Sequence, residues 1–206
     1  MAKQIFTRTI TKRSMFERIY ESNSDKHAHI SLVDAQAAVE KLFSLMFDGV
    51  ASGKYVYMRG FGKITTCFKP GGRPVRNPKT GEPYVLGDKV QVRFMANRGT
   101  TTRARSRQKL LESEILEKLA DEFGFQAAKV VHNEFKKCLR EVLEEGARIE
   151  IRGFGTFYRK ERNEYQGRNP KTGELVSVGK KYILVYKIAK HLKRETEAHF
   201  GITQEA

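Results

Sequence analysis

Two pentapeptides, Asn77-Pro78-Lys79-Thr80-Gly81 and Asn169-Pro170-Lys171-Thr172-Gly173, carry the most distinctive chemistry in the chain. Each sets a proline early and a glycine late in a tight reversal, the pattern of a hairpin tip whose last residue needs a positive φ. Cations crowd round both tips. Lys63, Lys69, Arg73, Arg76 and Lys79 stand against Glu82 in the first arm; Arg159, Lys160, Arg162, Arg168 and Lys171 stand against Glu161, Glu164 and Glu174 in the second. An extended basic hairpin cannot bury its own faces and implies a partner that completes it. Lys and Arg along such a ribbon can follow phosphates on both sides of a groove, and the narrow minor groove attracts Arg through its enhanced negative potential. The tip proline adds a rigid apolar ring with no N–H to leave unsatisfied, which can slide between stacked base pairs and kink a duplex. An isolated Asn-Pro-Lys-Thr-Gly would be an ordinary turn; the surrounding charge and the duplication count against that reading here.

The other reactive side chains suggest no second chemistry. Cys67 and Cys138 lie far apart with no CxxC companion, so they read as reduced, half-buried thiols. His27 and His29 precede a helix start, while His132, His191 and His199 are scattered without Asp or Cys partners at useful spacing; all five read as surface or packing residues. No GxSxG, HExxH, phosphate-cradling glycine loop or paired-carboxylate motif occurs, so no enzyme, cofactor or metal is expected. Phe61, Phe154 and Phe157 sit by a strand bend and not at a tip, which makes them core and not base-stacking platforms.

The partner follows from charge. Thirty-nine Lys and Arg against 24 Asp and Glu leave +15 on 206 residues, an excess that suits a polyanion, with nucleic acid first. An anionic membrane would need a helix with a basic face and a broad apolar face, and none is found. A mean hydropathy of -0.55 and the lack of a long apolar run exclude a membrane span. The N-terminal stretch reaches Glu17 without an apolar signal region, so an intracellular protein is expected.

What must hold the tips is legible from an internal repeat. Arg59-Gly60-Phe61-Gly62 recurs as Arg152-Gly153-Phe154-Gly155, and Arg76 to Glu82 recurs as Arg168 to Glu174, at offsets of 93 and 92 residues. Upstream lie two helical stripes, Val39, Phe43, Met46, Phe47 and Val50 in copy one, Val131, Phe135, Cys138, Leu139 and Val142 in copy two. Nothing polar interrupts either face in this reading, and both are taken as core. A shorter helix precedes each, Thr11 to Ser22 and Glu112 to Glu122, with Thr11 as N-cap of the first. After Gly53 and Gly146, Val56 and Met58, or Ile149 and Ile151, alternate at strand period, and segments 63–69 and 156–162 continue as strand. The expected fold class is α+β: two copies of a helix-helix-sheet fold, each with a long β-ribbon arm, paired as an intrachain pseudo-dimer. The expected units are 1–98 and 109–206, joined by a basic linker at 99–108 that spans at most about 33–36 Å. Pairing between chains, as a homodimer, is the alternative.

At the RGFG bend, at Gly167 to Glu174 and at Tyr186 to Lys193, the chain resembles the HU and integration host factor family of bacterial and phage DNA-bending proteins. The resemblance covers nearly the whole chain twice. It implies that Pro78 and Pro170 intercalate, that Arg76, Asn77, Arg168 and Asn169 lie beside them in the minor groove, and that Arg73, Lys79, Arg159, Lys160, Arg162, Lys171, Lys190 and Lys193 complete the contacts to double-stranded DNA. It also implies a cytoplasmic, nucleoid-associated protein, or a phage-encoded one acting in the bacterial cytoplasm. The sequence departs from the pattern in several places. Val75 stands where copy two has Gly167, and arm one is longer by a residue, with strand pairing expected to be broken or bulged at Pro70-Gly71-Gly72-Arg73-Pro74. Tyr165 replaces an arm cation. Copy one ends in Asn97-Arg98-Gly99 without the short closing helix that copy two keeps at Ala189 to Glu195. Two rival functions stand beside this reading: an RNA or single-strand binder, and an assembly protein whose basic arms grip acidic partners.

Overall fold

The computed structural model describes residues 6–23, 30–96 and 109–202. The linker, the Asn97-Arg98-Gly99 end of copy one and both His27 and His29 lie outside them. Copy one opens on the short strand β1 (Thr9–Ile10), and α1 (Lys12–Asn23) and α2 (Leu32–Ala51) then lead into β2 (Tyr55–Met58), β3 (Gly62–Lys69), β4 (Pro74–Arg76), β5 (Pro83–Val85) and β6 (Lys89–Ala96). Copy two opens on β7 (Lys109–Leu110), and α3 (Glu112–Phe123) and α4 (Phe125–Glu144) lead into β8 (Arg148–Ile151), β9 (Gly155–Arg162), β10 (Tyr165–Arg168), β11 (Leu175–Val178) and β12 (Lys181–Ile188). A last helix, α5 (Lys190–His199), follows β12. No described helix is long and apolar enough to cross a membrane.

Helix starts follow their capping chemistry. Thr11 and Ser14 bond reciprocally, each backbone N–H donating to the other's hydroxyl, and this box opens α1. Ser31 Oγ accepts from the Asp34 N–H at 3.0 Å and opens α2. The second copy has no side-chain caps on α3 or α4, but Glu112 and Glu114 place negative charge in the first turn of α3, where the helix dipole favours it.

The two copies are interleaved. Strand β1, ahead of copy one, pairs in parallel with β8 of copy two, and β7, ahead of copy two, pairs in parallel with β2 of copy one. Each four-stranded sheet, β6-β3-β2-β7 and β12-β9-β8-β1, therefore ends on a strand lent by the other half. The helical stripes meet at the centre. Phe43 and Phe135 contact edge to face at 5.4 Å between ring centroids, and Phe154 and Phe157 extend the cluster to both. Four residues of each stripe's expected five are buried in copy one, with Phe47 only partly so, and all five in copy two. Phe154 and Phe157 are core and Phe61 packs against it, as their place by the bend implies.

The faces of α4 are less apolar than the sequence pattern suggests. Glu134, Glu141 and His132 are buried on it, each answered by a group from elsewhere in the chain. Arg18 of α1 reaches Glu141 at 2.5 Å and Glu134 at 2.9 Å, and Arg8 also binds Glu141. His132 Nε2 lies 3.2 Å from Glu112, whose other oxygen accepts the Arg59 backbone N–H at 2.7 Å across the halves. Burial lowers the His132 pKa, against the pull of Glu112. Burial, helped by Glu134, pushes the Cys138 thiol up to about 12, so this buried cysteine is inert and fully protonated at neutral pH.

Helix α5 runs to His199, four residues past the end expected from sequence, and packs on copy one. Phe200 stacks on Phe68 at 5.6 Å and His191 lies against Phe47.

Candidate nucleic-acid interface

Each arm begins where the long strand pair of a sheet ends. In copy two, β9 pairs with β12 from Gly155 to Arg162, and the outer pair β10 and β11 continues in the same register, with Tyr165 opposite Val178 and Arg168 opposite Leu175. In copy one the register shifts. Lys69 faces Lys89 but Pro74 faces Val85, so four residues on the outgoing strand oppose three on the return. Of the broken or bulged pairing expected there, the strand takes the bulge, with the Gly71 N–H donating to Asp88 Oδ1 at 2.6 Å, the Gly72 N–H to Leu86 O, and the Leu86 N–H to Arg73 O. Gly71 is required by close approach, because a Cβ there would sit 2.5 Å from Leu86 O.

Beyond that difference the two tips are superposable in their hydrogen bonds. The Asn77 N–H donates to Glu82 O, the Gly81 N–H to Asn77 O, and the Lys79 N–H to Asn77 Oδ1; Asn169, Gly173, Glu174 and Lys171 repeat the set at the same lengths. Thr80 and Thr172 hydroxyls donate to Glu82 and Glu174. Gly81 and Gly173 hold φ at 74° and 75°, values an L side chain rarely adopts. The Asn side chain thus works as an Asx turn that fixes the loop, and the proline between it and the lysine is turned to solvent in both copies.

The cations divide by what already holds them. Arg73, Arg76, Lys79, Lys160, Arg162, Arg168, Lys171 and Lys190 are exposed, and Asn77 and Asn169 are half-buried beneath the tips. Lys193 sits 3.3 Å from the buried Glu197, one turn along α5. Arg159 is turned away from the arm: it donates to Leu143 O and Glu144 O at 2.9 and 2.7 Å and stacks over Tyr182, so it caps the C-terminus of α4. Its position near the arm gives no hint of this, since the carbonyls it serves lie 16 and 15 residues back. Sequence reasoning also misses Glu112, which ties the turn of copy one's RGFG to copy two.

An interleaved body that lifts two cation-bearing hairpins, each ending in an exposed proline, defines an architectural DNA-binding protein. Residues 10–104 and 110–197 each match the family described as bacterial DNA-binding protein, so the chain belongs to that family, as a tandem member of the HU and integration host factor group. Its members are non-enzymatic DNA-binding proteins. The integration host factor subunit alpha of Stenotrophomonas maltophilia (strain K279a) is 37% identical over 97 residues, covering 46% of this chain and 98% of that protein. The same subunit of Xanthomonas campestris pv. campestris (strain B100) is 35% identical over an equal span. Among solved structures, an HU–DNA cocrystal from Anabaena is 25% identical over 40% of this chain and 91% of that one, with a TM-score of 0.36.

Proposed function

We propose that this chain bends duplex DNA as a single-chain pseudo-dimer, with Pro78 and Pro170 wedged between base pairs at two kinks. Arg76, Asn77, Arg168 and Asn169 would sit in the minor groove beside each wedge. Arg73, Lys79, Lys160, Arg162, Lys171, Lys190 and Lys193 would hold phosphates, and Arg159 would brace the base of the second arm. The duplication units are 1–98 and 109–206, with 99–108 joining them, and the setting is bacterial nucleoid or phage genome organisation in the cytoplasm. The observation that carries the reading is the tip itself. Two loops 92 residues apart keep one hydrogen-bond network and present the same exposed proline beside exposed arginine. Unstacking a base step costs a few kcal/mol, which is offset when bent DNA lies against more basic protein surface.

The test is the bend angle by FRET on end-labelled duplexes, with single-stranded DNA and RNA as competitors at fixed salt. The double variant Pro78→Ala, Pro170→Ala is expected to lose bend more than affinity. Replacing arm Arg and Lys is expected to lower affinity and to reduce the salt slope by about one for each phosphate left without its cation. An unchanged bend in the double proline variant would remove the wedge. Equal competition by single strands would favour the single-strand rival, because a wedge between stacked pairs has meaning only in a duplex.

A further inference from the structure

Both hairpins leave the body at an equivalent rung, the last but one of the long strand pair: Phe68 opposite Val90 in the first arm, Glu161 opposite Tyr182 in the second. What holds that rung to the body differs. In the first arm Phe200, just past the end of α5, stacks on Phe68 at 5.6 Å with the two rings 12° from parallel. Its Cζ is also 2.8 Å from where a Cβ on Gly53 would lie, so one ring touches the base of the arm and the turn that ends α2.

In the second arm Arg159 takes that place. Its guanidinium lies over the Tyr182 ring at 4.3 Å and donates to Leu143 O and Glu144 O in the last turn of α4. Its Nη2 is 2.8 Å from where a Cβ would lie on Gly146, the residue equivalent to Gly53. The first copy has Thr66 where the second has Arg159, and that hydroxyl bonds Val50 O at 3.3 Å. A threonine covers one carbonyl, and the ring from α5 does the rest. The two clasps differ in chemistry: Val90 is sealed at 2% exposure under the first, whereas Tyr182 keeps 45% under the second.

A two-stranded hairpin has little stability of its own, and outside these rungs Tyr84, Val85, Leu175 and Val176 are exposed, so the course of each arm depends on what packs at its base. An arm aimed before DNA arrives loses less freedom on binding. Resting on the DNA-bending reading above for its effect at DNA, we propose that Phe200 and Arg159 are the positioning residues of the two arms. Each pins the base rung of one hairpin to the end of the long helix beneath it, the first by aromatic stacking and the second by capping. Arg159 then acts through Tyr182 and the α4 carbonyls and not through a phosphate, and the first arm depends on a ring supplied by the C-terminal end of the other copy.

Hydrogen exchange on the full-length chain without DNA tests this. Phe200→Ala should speed exchange of the amides between 66 and 90 by about tenfold and leave those between 159 and 182 unchanged. Arg159→Lys should do the reverse, because an ammonium cannot span two carbonyls and stack on a ring. Phe200→Tyr keeps the ring and should keep the protection, and the untouched arm of each variant controls for general loosening. On duplex DNA, Phe200→Ala and Arg159→Gln should each weaken affinity about two- to tenfold, the cost of ordering a loosened arm, at an unchanged salt slope. Equal loosening of both arms, protection that survives Phe200→Ala or Arg159→Lys, or a salt slope that drops by about one in Arg159→Gln would each overturn the inference and leave the bending function standing. Failure of the unaltered chain to retain any duplex would overturn the bending function, while the exchange rates would still decide what holds the arms.

Discussion

Phe43→Ala is expected to lower the unfolding free energy by about 3–5 kcal/mol, and Phe135→Ala by a similar amount. Both rings are almost wholly buried, at 1% and 3% exposure, and each packs edge to face on its twin from the other copy. Removing one ring weakens the packing of both halves at once, because Phe43 also touches Phe154 and Phe135 touches Phe157. The helices behind them cannot collapse into the gap without moving the sheets that carry the arms, so the cavity should persist. Since the residues touch, the double variant should cost less than the two single losses added together. Urea denaturation at fixed protein concentration reads this directly, and a loss below about 1 kcal/mol for either single variant would mean that these rings are not packed in the core.

The contact between those rings shows why so much of this fold can be read from sequence. A duplicated chain supplies its own alignment: every stripe residue has a twin 92 positions away, and a pattern that occurs twice in register is a core pattern. The first helix of each copy falls within a residue of expectation for the same reason, and the tips declare themselves by Pro and Gly at fixed offsets. The exchanged strands are not legible. Thr9–Ile10 and Lys109–Leu110 are two residues each, too short for a period, and their pairing depends on where the other half places its edge. Arg159 misleads because arm cations and helix caps are the same residue type, and only the packed structure tells which carbonyl or phosphate is in reach. Glu134 and Glu141 escape notice because a stripe is defined by its apolar members. Whether a carboxylate at its edge is solvated or buried is decided by an arginine over a hundred residues away.

That carboxylate cluster yields the second large effect. Burial alone would raise the Glu141 pKa, but hydrogen bonds and charge from Arg18, with further help from Arg8, hold it below the ordinary carboxylate range. Glu141 therefore binds a proton more weakly in the folded chain than in the unfolded one. Its stabilisation is complete above the unfolded value, about 4.3, and is lost as pH falls through the lower folded value. Glu141→Gln is expected to cost roughly 1–3 kcal/mol at pH 7, less than a fully buried pair because the Arg8 and Arg18 side chains keep 50% and 25% of their exposure. The stability curves of the variant and the unaltered chain should converge as the pH is taken from 7 towards 2, since protonation removes from one what substitution removed from the other. Curves that stay parallel, or no loss at pH 7, would show that the ion cluster is not a support. The cluster is also one-sided: the positions equivalent to Arg18, Glu134 and Glu141 in the other half are Lys118, Leu42 and Gly49. Two copies of the first repeat paired with each other would set Arg18 against leucine and glycine with no carboxylate to meet it.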